Sequence, residues 1–134
     1  TTFGRGPLAC AVAIEFLRTL EPLLAHIREM GDYFRARLDQ LKLRHSAVRE
    51  IRGMALMMGM DLDSAETAKA VVAQLLQQGI LINRTNETVL RFLPPYIIQK
   101  KQVDQVIRAL DGALTKLTPR RSSSKRFPKR SRIH

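Results

Sequence analysis

Residues 48–62 read Val-Arg-Glu-Ile-Arg-Gly-Met-Ala-Leu-Met-Met-Gly-Met-Asp-Leu, and this stretch decides the fold class. The segment Val48–Arg52 predicts one short strand, Gly53 interrupts it, and Met54–Leu62 predicts a second strand. The residues expected on one face of the second strand are apolar: Met54, Leu56, Met58 and Met60. The opposite face carries Ala55, Met57 and Gly59. We therefore expect a helix on one side of this strand, and a helix or another domain on the other.

Two helices are predicted on the N-terminal side of these strands. Pro7 suits the first turn of a helix, which Leu8–Leu20 continues. Glu21-Pro22 breaks that helix, and Pro22 opens a longer one. The apolar residues of the longer helix recur every three or four positions: Leu23, Ile27, Met30, Phe34, Leu38 and Leu41. This spacing is typical of an amphipathic helix that packs one face against the body of a protein.

A third helix is predicted directly after the second strand. Asp63 and Glu66 have the spacing of a capping box, with Asp63 as the cap and Thr67 taking no part. The helix runs to Gln78, and Gly79 marks its C-terminal end.

Two more strands and a final helix complete the pattern. Ile80–Ile82 and Val89–Leu93 predict strands separated by a polar turn over Asn83–Glu87, and Pro94-Pro95 ends the second of them. The last helix has a regular apolar stripe: Val103, Ile107, Leu110, Leu114 and Leu117. Helices and strands in this order predict an α+β fold, a small and mostly antiparallel sheet with helices packed on it.

Composition limits the class of protein. The chain has 134 residues, 45% of them hydrophobic and 26% charged, which suits one globular domain. One cysteine excludes an internal disulfide framework, and three scattered histidines make a metal site improbable. No apolar run approaches the roughly 20 residues that span a bilayer. We expect a cytoplasmic protein with no membrane partner.

The positive charge is concentrated at the C-terminus. The net charge is +11, and the segment after Thr118 carries seven basic residues and no acidic ones, so residues 1–118 have a net charge of only +4. Residues 118–134 therefore predict a disordered basic tail. Only this tail has the charge to neutralise the phosphates of a nucleic acid, so we do not expect the rest of the chain to bind nucleic acid.

Arg91 is the most informative charged residue, because it stands between apolar residues on a predicted strand. A guanidinium in such a place needs an anionic partner if it is buried. Its planar fork suits a carboxylate bound through two parallel hydrogen bonds. A structural ion pair, or a side chain pointing to solvent, is the alternative. Thr1 and Thr2 precede a glycine-rich turn and a helix start, where hydroxyl and N–H groups can hold a phosphate, although turn residues of this kind are common.

Four segments, in order, resemble the class III pyridoxal-phosphate aminotransferases, most closely the acetylornithine branch. The first is similar to the family's Thr-Phe/Tyr-Gly-Gly-Asn-Pro-Leu-Ala segment, and the second to its Ile-Arg-Glu-Val-Arg-Gly-x-Gly-Leu-Met stretch. The four segments are Thr1–Ala9, Val48–Met57, Gly79–Asn83 and Thr88–Pro95. The resemblance covers about residues 1–117. It departs at Arg5, within the Gly-Gly-Asn motif, and at Ala55, where the family commonly has glycine.

The resemblance implies a homodimeric enzyme of fold type I, of which this chain is a C-terminal fragment. Residues 1–6 would be an interface and phosphate loop, and residues 7–117 the C-terminal domain. Thr2 would bind the phosphate of pyridoxal 5'-phosphate across the dimer interface. Thr1 would lie near the substrate, and Arg91 would bind a substrate carboxylate. The Schiff-base lysine of the family has no match here, so we expect the fragment alone to be inactive and not to retain the cofactor.

The expected function is amino transfer from N-acetylornithine, or a similar ω-amine, to 2-oxoglutarate in arginine biosynthesis. Two alternatives remain open: a small basic nucleic-acid-binding protein, supported by the tail, and a non-catalytic interaction module, supported by the apolar residues on both faces of the Met-rich strand. The residues named here do not identify the amine.

Overall fold

The structure is a computed structural model that describes residues 6–117. Its elements are α1 (Pro7–Leu20), a short 3-10 helix (Glu21–Leu23), α2 (Leu24–Arg44), β1 (Val48–Met54), β2 (Met57–Leu62), α3 (Ala65–Gln77), β3 (Asn83–Thr85), β4 (Val89–Phe92) and α4 (Lys100–Leu117). The predicted α+β class is confirmed. The predictions for Thr1, Thr2 and the basic tail lie outside the described residues.

The four strands form one antiparallel sheet in the order β1-β2-β4-β3. β2 and β4 are the interior strands, and β1 and β3 are the edges. Met58 pairs with Phe92 and Met60 with Leu90, so these four side chains share one face. All four are buried in the single core that this face forms with the helices.

Helices α2, α3 and α4 contribute the other side of the core. The predicted stripes of α2 and α4 are confirmed, since Phe34, Leu38, Ile107 and Leu110 are buried. The rings of Phe34 and Phe92 meet edge to face with centroids 5.3 Å apart, which fixes α2 against β4.

A polar seam joins α2 to α4 at the edge of the core. The Tyr33 hydroxyl donates to Asp104 Oδ1 at 2.7 Å, and this hydrogen bond raises the pKa of Tyr33. Farther along, Asp111 pairs with His45 Nε2 at 2.6 Å and with Arg44 Nη1 at 2.9 Å. These contacts fix the register of the two helices.

The structure corrects the predicted strand after α3. Ile80–Ile82 is not a strand, and the strand Asn83–Thr85 lies where a polar turn was predicted. The reason is the geometry of the β3–β4 hairpin. Pairing of Thr85 with Val89 leaves only Asn86, Glu87 and Thr88 for the turn, and Asn86 and Glu87 adopt the positive φ angles that such a turn requires.

The helix cap was also predicted at the wrong residue. Ser64, not Asp63, is the N-cap of α3, and its Oγ accepts a hydrogen bond from the Thr67 backbone N–H at 3.1 Å. The Thr67 hydroxyl lies 2.9 Å from the same oxygen, so Thr67 takes part after all. The predicted pairing of Asp63 with Glu66 is therefore wrong by one residue.

Two apolar segments face outward, and for Met54 this is contrary to the predicted packing. Met54 was expected beside Met58 and Met60, but the hairpin turn at Ala55-Leu56 places it on the other face, where it is 82% exposed. The stripe of α1 is exposed as well: Leu8, Val12 and Phe16. α1 contributes no buried residue to the described structure.

Candidate functional site

Arg91 lies on β4, an interior strand, opposite Gly59 of β2 and Asn83 of β3. Strand residues alternate between faces, so Arg91 projects from the face opposite Leu90 and Phe92. Its side chain is exposed, which agrees with the alternative that the side chain points to solvent. The cost of burying a charge therefore does not require a partner here, and the argument for a ligand depends on the surroundings of the guanidinium.

The residues level with Arg91 form a row across the outer face of the sheet. In strand order they are Arg52, Gly59, Arg91 and Asn83. Gly59 separates the two arginines, whose Cα atoms are about 10 Å apart at two strand spacings. A Cβ built on Gly59 would lie 3.5 Å from Cγ1 of Val89 and 3.7 Å from Cγ of Arg52, so these two side chains lie beside Gly59.

The next row of the same face consists of Glu50, Asp61, Val89 and Thr85, and both of its acidic residues already have partners. Glu50 Oε2 accepts a hydrogen bond from Arg52 Nη1 at 2.9 Å. Asp61 Oδ1 accepts one from the Thr88 hydroxyl at 2.7 Å. On the other side of the arginine row lie the exposed side chains of Met54 and Met57.

Arg91 also lines a cleft of about 590 Å³ beside the β3 edge. The walls are mostly apolar: Phe34, Ile80, Leu81, Ile82, Phe92, Leu93, Pro94, Pro95, Ile98, Val103 and Val106. Arg91 and Asn83 are its only residues with polar side chains. An apolar cleft with a few convergent polar groups is the usual form of a small-molecule site.

The Arg91 guanidinium has no carboxylate within 4.0 Å among residues 6–117. Five other arginines of this range each pair with an acidic side chain: Arg18, Arg35, Arg37, Arg44 and Arg52. The remaining described arginines have no such pair either: Arg28, Arg49, Arg84 and Arg108. What distinguishes Arg91 from those four is that it lines the cleft.

Sequence reasoning missed Asn83 as a site residue because it was placed in a turn. The spacing contained the necessary signal. A hairpin turn centred on Glu87 places position 83 directly opposite position 91, as the structure shows. Arg52 is the last residue of the first predicted strand. Its place in the arginine row depends on the strand order, which the sequence does not reveal.

The described residues do not form a pyridoxal-phosphate site. A Schiff base needs a lysine, and none of the residues that line the cleft is a lysine. The described lysines all lie on helices, and Lys100 is paired with Glu29 at 2.9 Å. Thr1 and Thr2, the predicted substrate and phosphate residues, lie outside the described residues. Of the predicted site residues, the structure places only Arg91 at the cleft.

Between residues 6 and 117, no group of three His, Cys, Asp or Glu side chains lies close enough to bind a metal ion. None of the helices in that range is sufficiently long and apolar to cross a membrane.

Comparisons with known proteins agree on one family. A sequence profile described as aminotransferase class III matches residues 1–114. The acetylornithine aminotransferase of Methanocaldococcus jannaschii is 40% identical over 119 residues, which are 87% of this chain and 29% of that protein. The ornithine aminotransferase 2 of Staphylococcus saprophyticus is 42% identical over 106 residues, which are 78% of this chain and 26% of that protein.

Solved structures with this fold are aminotransferases as well. The acetylornithine aminotransferase of Elizabethkingia anophelis has a TM-score of 0.78 at 26% identity, over 87% of this chain and 32% of that one. The lysine aminotransferase of M. tuberculosis has a TM-score of 0.73 at 29% identity, over 77% of this chain and 24% of that one. The chain spans about 30% of the length of the curated relatives it matches. The resemblance drawn from four sequence segments is confirmed, and the chain belongs to the class-III aminotransferase family.

Proposed function

We propose that this chain is the C-terminal, carboxylate-binding portion of a pyridoxal-phosphate-dependent aminotransferase. Its substrates would be N-acetylornithine, or a similar ω-amine, and 2-oxoglutarate. The observation that carries the proposal is Arg91, an exposed guanidinium on an interior strand that lines an apolar cleft and has no acidic partner among residues 6–117. The names of the relatives supply the substrate class.

Arg91 would bind and orient the substrate. Its planar guanidinium can donate two parallel hydrogen bonds to one carboxylate, which fixes both position and angle. The interior strand holds the arginine backbone on both sides, so this anchor is rigid. A carboxylate anchored at one end leaves the distal amine free to reach the cofactor, and such orientation is a large part of catalysis.

The cofactor contacts rest on the family alone. Pyridoxal phosphate supplies an electron sink when it is bound, and the protein supplies binding and orientation. In this proposal Thr2 contacts the cofactor phosphate across the interface of a homodimer, and Thr1 lies near the substrate. A lysine outside this chain would carry the cofactor, and the fragment by itself would be inactive.

The exposed apolar surfaces support a larger assembly. The α1 stripe with Leu8, Val12 and Phe16 is uncovered, as are Met54 and Met57 on the outer face of the sheet. Contiguous exposed apolar residues mark interaction surfaces. Because the relatives are more than three times as long as the matched segment, we propose that the rest of such an enzyme covers these surfaces.

The reaction would belong to arginine biosynthesis in the cytoplasm.

A chimera tests the activity. Residues 1–117 would replace the matched segment of the Methanocaldococcus jannaschii enzyme, and transfer from N-acetylornithine to 2-oxoglutarate would be measured with added pyridoxal phosphate. We expect activity, and we expect Arg91→Gln to lower kcat/KM about 100-fold, as the loss of a charge-assisted hydrogen-bonded pair predicts.

Arg108→Gln is the matched control for this experiment, because Arg108 is an exposed arginine on α4 outside the cleft. It should leave kcat/KM within about twofold of the parent chimera. An active chimera that is unaffected by Arg91→Gln would refute the assignment of Arg91.

A further inference from the structure

The two direct cross-strand neighbours of Arg91 differ in what they offer its side chain. Gly59 of β2 has no side chain, whereas Asn83 of β3 carries a carboxamide. Register places the Cβ atoms of Asn83 and Arg91 about 5 Å apart on the same face of the sheet. Both side chains are exposed, and they are the two polar ones among the described residues that line the cleft. Asn83 is therefore the adjacent group that can hold the Arg91 guanidinium in place.

The carboxamide oxygen of Asn83 suits one particular part of the Arg91 side chain. A guanidinium has five N–H donors, and a carboxylate bound through two parallel hydrogen bonds occupies only two of them. Because the Asn83 side chain is short, its oxygen reaches the Nε–H at the base of the fork more readily than the Nη groups at the tip. A hydrogen bond at Nε leaves both Nη groups for a ligand that binds end-on.

The neutrality of Asn83 matters because an acid beside an arginine on this face captures it. Glu50 stands two residues before Arg52 on β1, and its Oε2 binds Arg52 Nη1 at 2.9 Å. An acid at position 83 would pair with the Arg91 fork in the same way and compete with the carboxylate of a ligand. A carboxamide accepts a hydrogen bond from the guanidinium without neutralising its charge.

We propose that Asn83 is a positioning residue for Arg91, and that its carboxamide oxygen accepts a hydrogen bond from the Arg91 Nε–H when a carboxylate occupies the two Nη groups. Within residues 6–117 neither side chain has a hydrogen bond to protein, so the ligand brings the three groups together. Immobilising a long arginine side chain costs rotamer entropy, and the hydrogen bond to Asn83 offsets part of that cost. This inference rests on the proposed function, since it takes Arg91 to hold a substrate carboxylate.

Nuclear magnetic resonance on the 134-residue chain tests the inference, with N-acetyl-L-ornithine as the carboxylate. The shift of the Arg91 Cζ signal during titration gives the affinity. The exchange of the Arg91 Nε–H proton with water is then measured at saturation. We expect this proton to exchange about fivefold more slowly in the saturated wild-type chain than in a saturated variant without an acceptor at position 83, the effect of roughly one net hydrogen bond. A residue that only supported the fold would not change this rate.

Two variants change position 83 in different ways. Asn83→Leu removes the acceptor and should lower the affinity about fivefold. Asn83→Asp keeps the shape but adds a carboxylate that pairs with Arg91 and repels the ligand, so it should lower the affinity more than about tenfold. Asn86→Asp is the matched control, because it makes the same charge change on the same hairpin outside the cleft. It should keep the affinity within about twofold.

The backbone amide spectrum reports whether each variant folds. If Asn83→Leu does not fold, Asn83→Val replaces it, since valine favours strands. If Asn83→Asp does not fold, Asn83→Glu supplies the same charge.

The outcomes distinguish this inference from the proposed function. If the ligand shifts the Arg91 signal in the wild-type chain but either variant at position 83 binds within about twofold of wild type, the role of Asn83 is refuted and the carboxylate site stands. An equal loss of affinity in Asn83→Asp and Asn86→Asp refutes it as well, since charge alone would then be sufficient. If the ligand does not shift the Arg91 signal of the wild-type chain at any concentration up to about 100 mM, the carboxylate site itself is refuted.

Discussion

Gly31 of α2 lies directly against the backbone of Ala55 at the tip of the β1–β2 hairpin. A Cβ built on Gly31 would stand 2.6 Å from both the carbonyl carbon and the carbonyl oxygen of Ala55. The neighbouring atoms are main chain, so no side-chain rotation can relieve the overlap. This contact holds the hairpin against α2.

Gly31→Ala should therefore destabilise the chain by about 1–3 kcal/mol, the usual cost of overpacking, even though alanine is the better helix former. The measurement is the free energy of unfolding from urea titration. Gly112→Ala on α4 is the matched control, because a Cβ there meets nothing within 4 Å. It should stabilise the chain by up to about 1 kcal/mol. Equal and stabilising effects of the two variants would contradict the tight contact.

Ala55 itself adopts a φ of 51°, in the left-handed region that favours glycine. The family that this chain resembles commonly has glycine at this position, and the positive φ angle explains that preference. Ala55→Gly should stabilise the chain by roughly 1 kcal/mol by removing the strain of the methyl group. Ala73→Gly, at an exposed position inside α3, should instead destabilise it by about 1 kcal/mol. The midpoints of urea unfolding compare the two, and the same sign for both would refute the backbone argument.

The cap of α3 provides a test between neighbouring residues. Ser64→Ala removes the acceptor of the Thr67 N–H and should cost about 1 kcal/mol of unfolding free energy. Asp63→Ala should change the stability by less than about 0.5 kcal/mol, because Asp63 is exposed and caps nothing. If Asp63→Ala lowers the free energy of unfolding more than Ser64→Ala does, then Asp63 is the N-cap, as the sequence predicts.

Periodicity predicted the parts of this fold that depend on one element alone. The stripes of α2 and α4 and the strand at β4 follow from local spacing, and the structure confirms them. The predicted interruption at Gly53 is wrong, because β1 continues through Gly53 to Met54 and the chain turns at Ala55-Leu56. The errors depend on how elements meet. Met54 is on the outer face because the hairpin turns at Ala55. The apolar residues of α1 are exposed, and the sequence could not predict this, because an apolar stripe does not specify which element covers it.

The candidate site divides in the same way. Arg91 stands out in the sequence, because a lone charge among apolar residues is a local signal. Asn83 and Gly59 become its neighbours only through the antiparallel register, and the order β1-β2-β4-β3 brings Arg52 into the row. The local pattern thus identified Arg91, whereas its neighbours follow only from the pairing of the strands.

Asp111 should give the chain an acid-sensitive component of stability. Burial alone would raise the pKa of Asp111, but the hydrogen bond with His45 and the charge of Arg44 outweigh it, so the pKa lies below its ordinary value of 3.8. A carboxyl with a depressed pKa stabilises the folded state above its unfolded pKa, and the contribution disappears as the pH falls through the lower, folded pKa.

Asp111→Asn should therefore be less stable than the wild-type chain at pH 6, and the difference should shrink steadily below about pH 4. Urea unfolding between pH 3 and pH 7 measures it. Asp32→Asn, at an exposed residue of α2 with no ion pair among the described residues, should leave the pH dependence unchanged. A difference between Asp111→Asn and wild type that persists undiminished at pH 3 would contradict the assigned pKa direction.

Arg91→Lys separates charge from geometry at the proposed carboxylate site. Lysine keeps the positive charge but presents a point charge in place of a planar fork, so it cannot form the two parallel hydrogen bonds. Titration of the 134-residue chain with N-acetyl-L-ornithine should show affinity lowered about tenfold by Arg91→Lys and about 100-fold by Arg91→Gln. Arg84→Lys is the control, since Arg84 lies on the same hairpin, donates to the Glu87 carbonyl and does not line the cleft. If Arg91→Lys binds as tightly as the wild type, attraction between charges is sufficient and the fork geometry has no role; if Arg91→Gln does so, Arg91 is not the anchor.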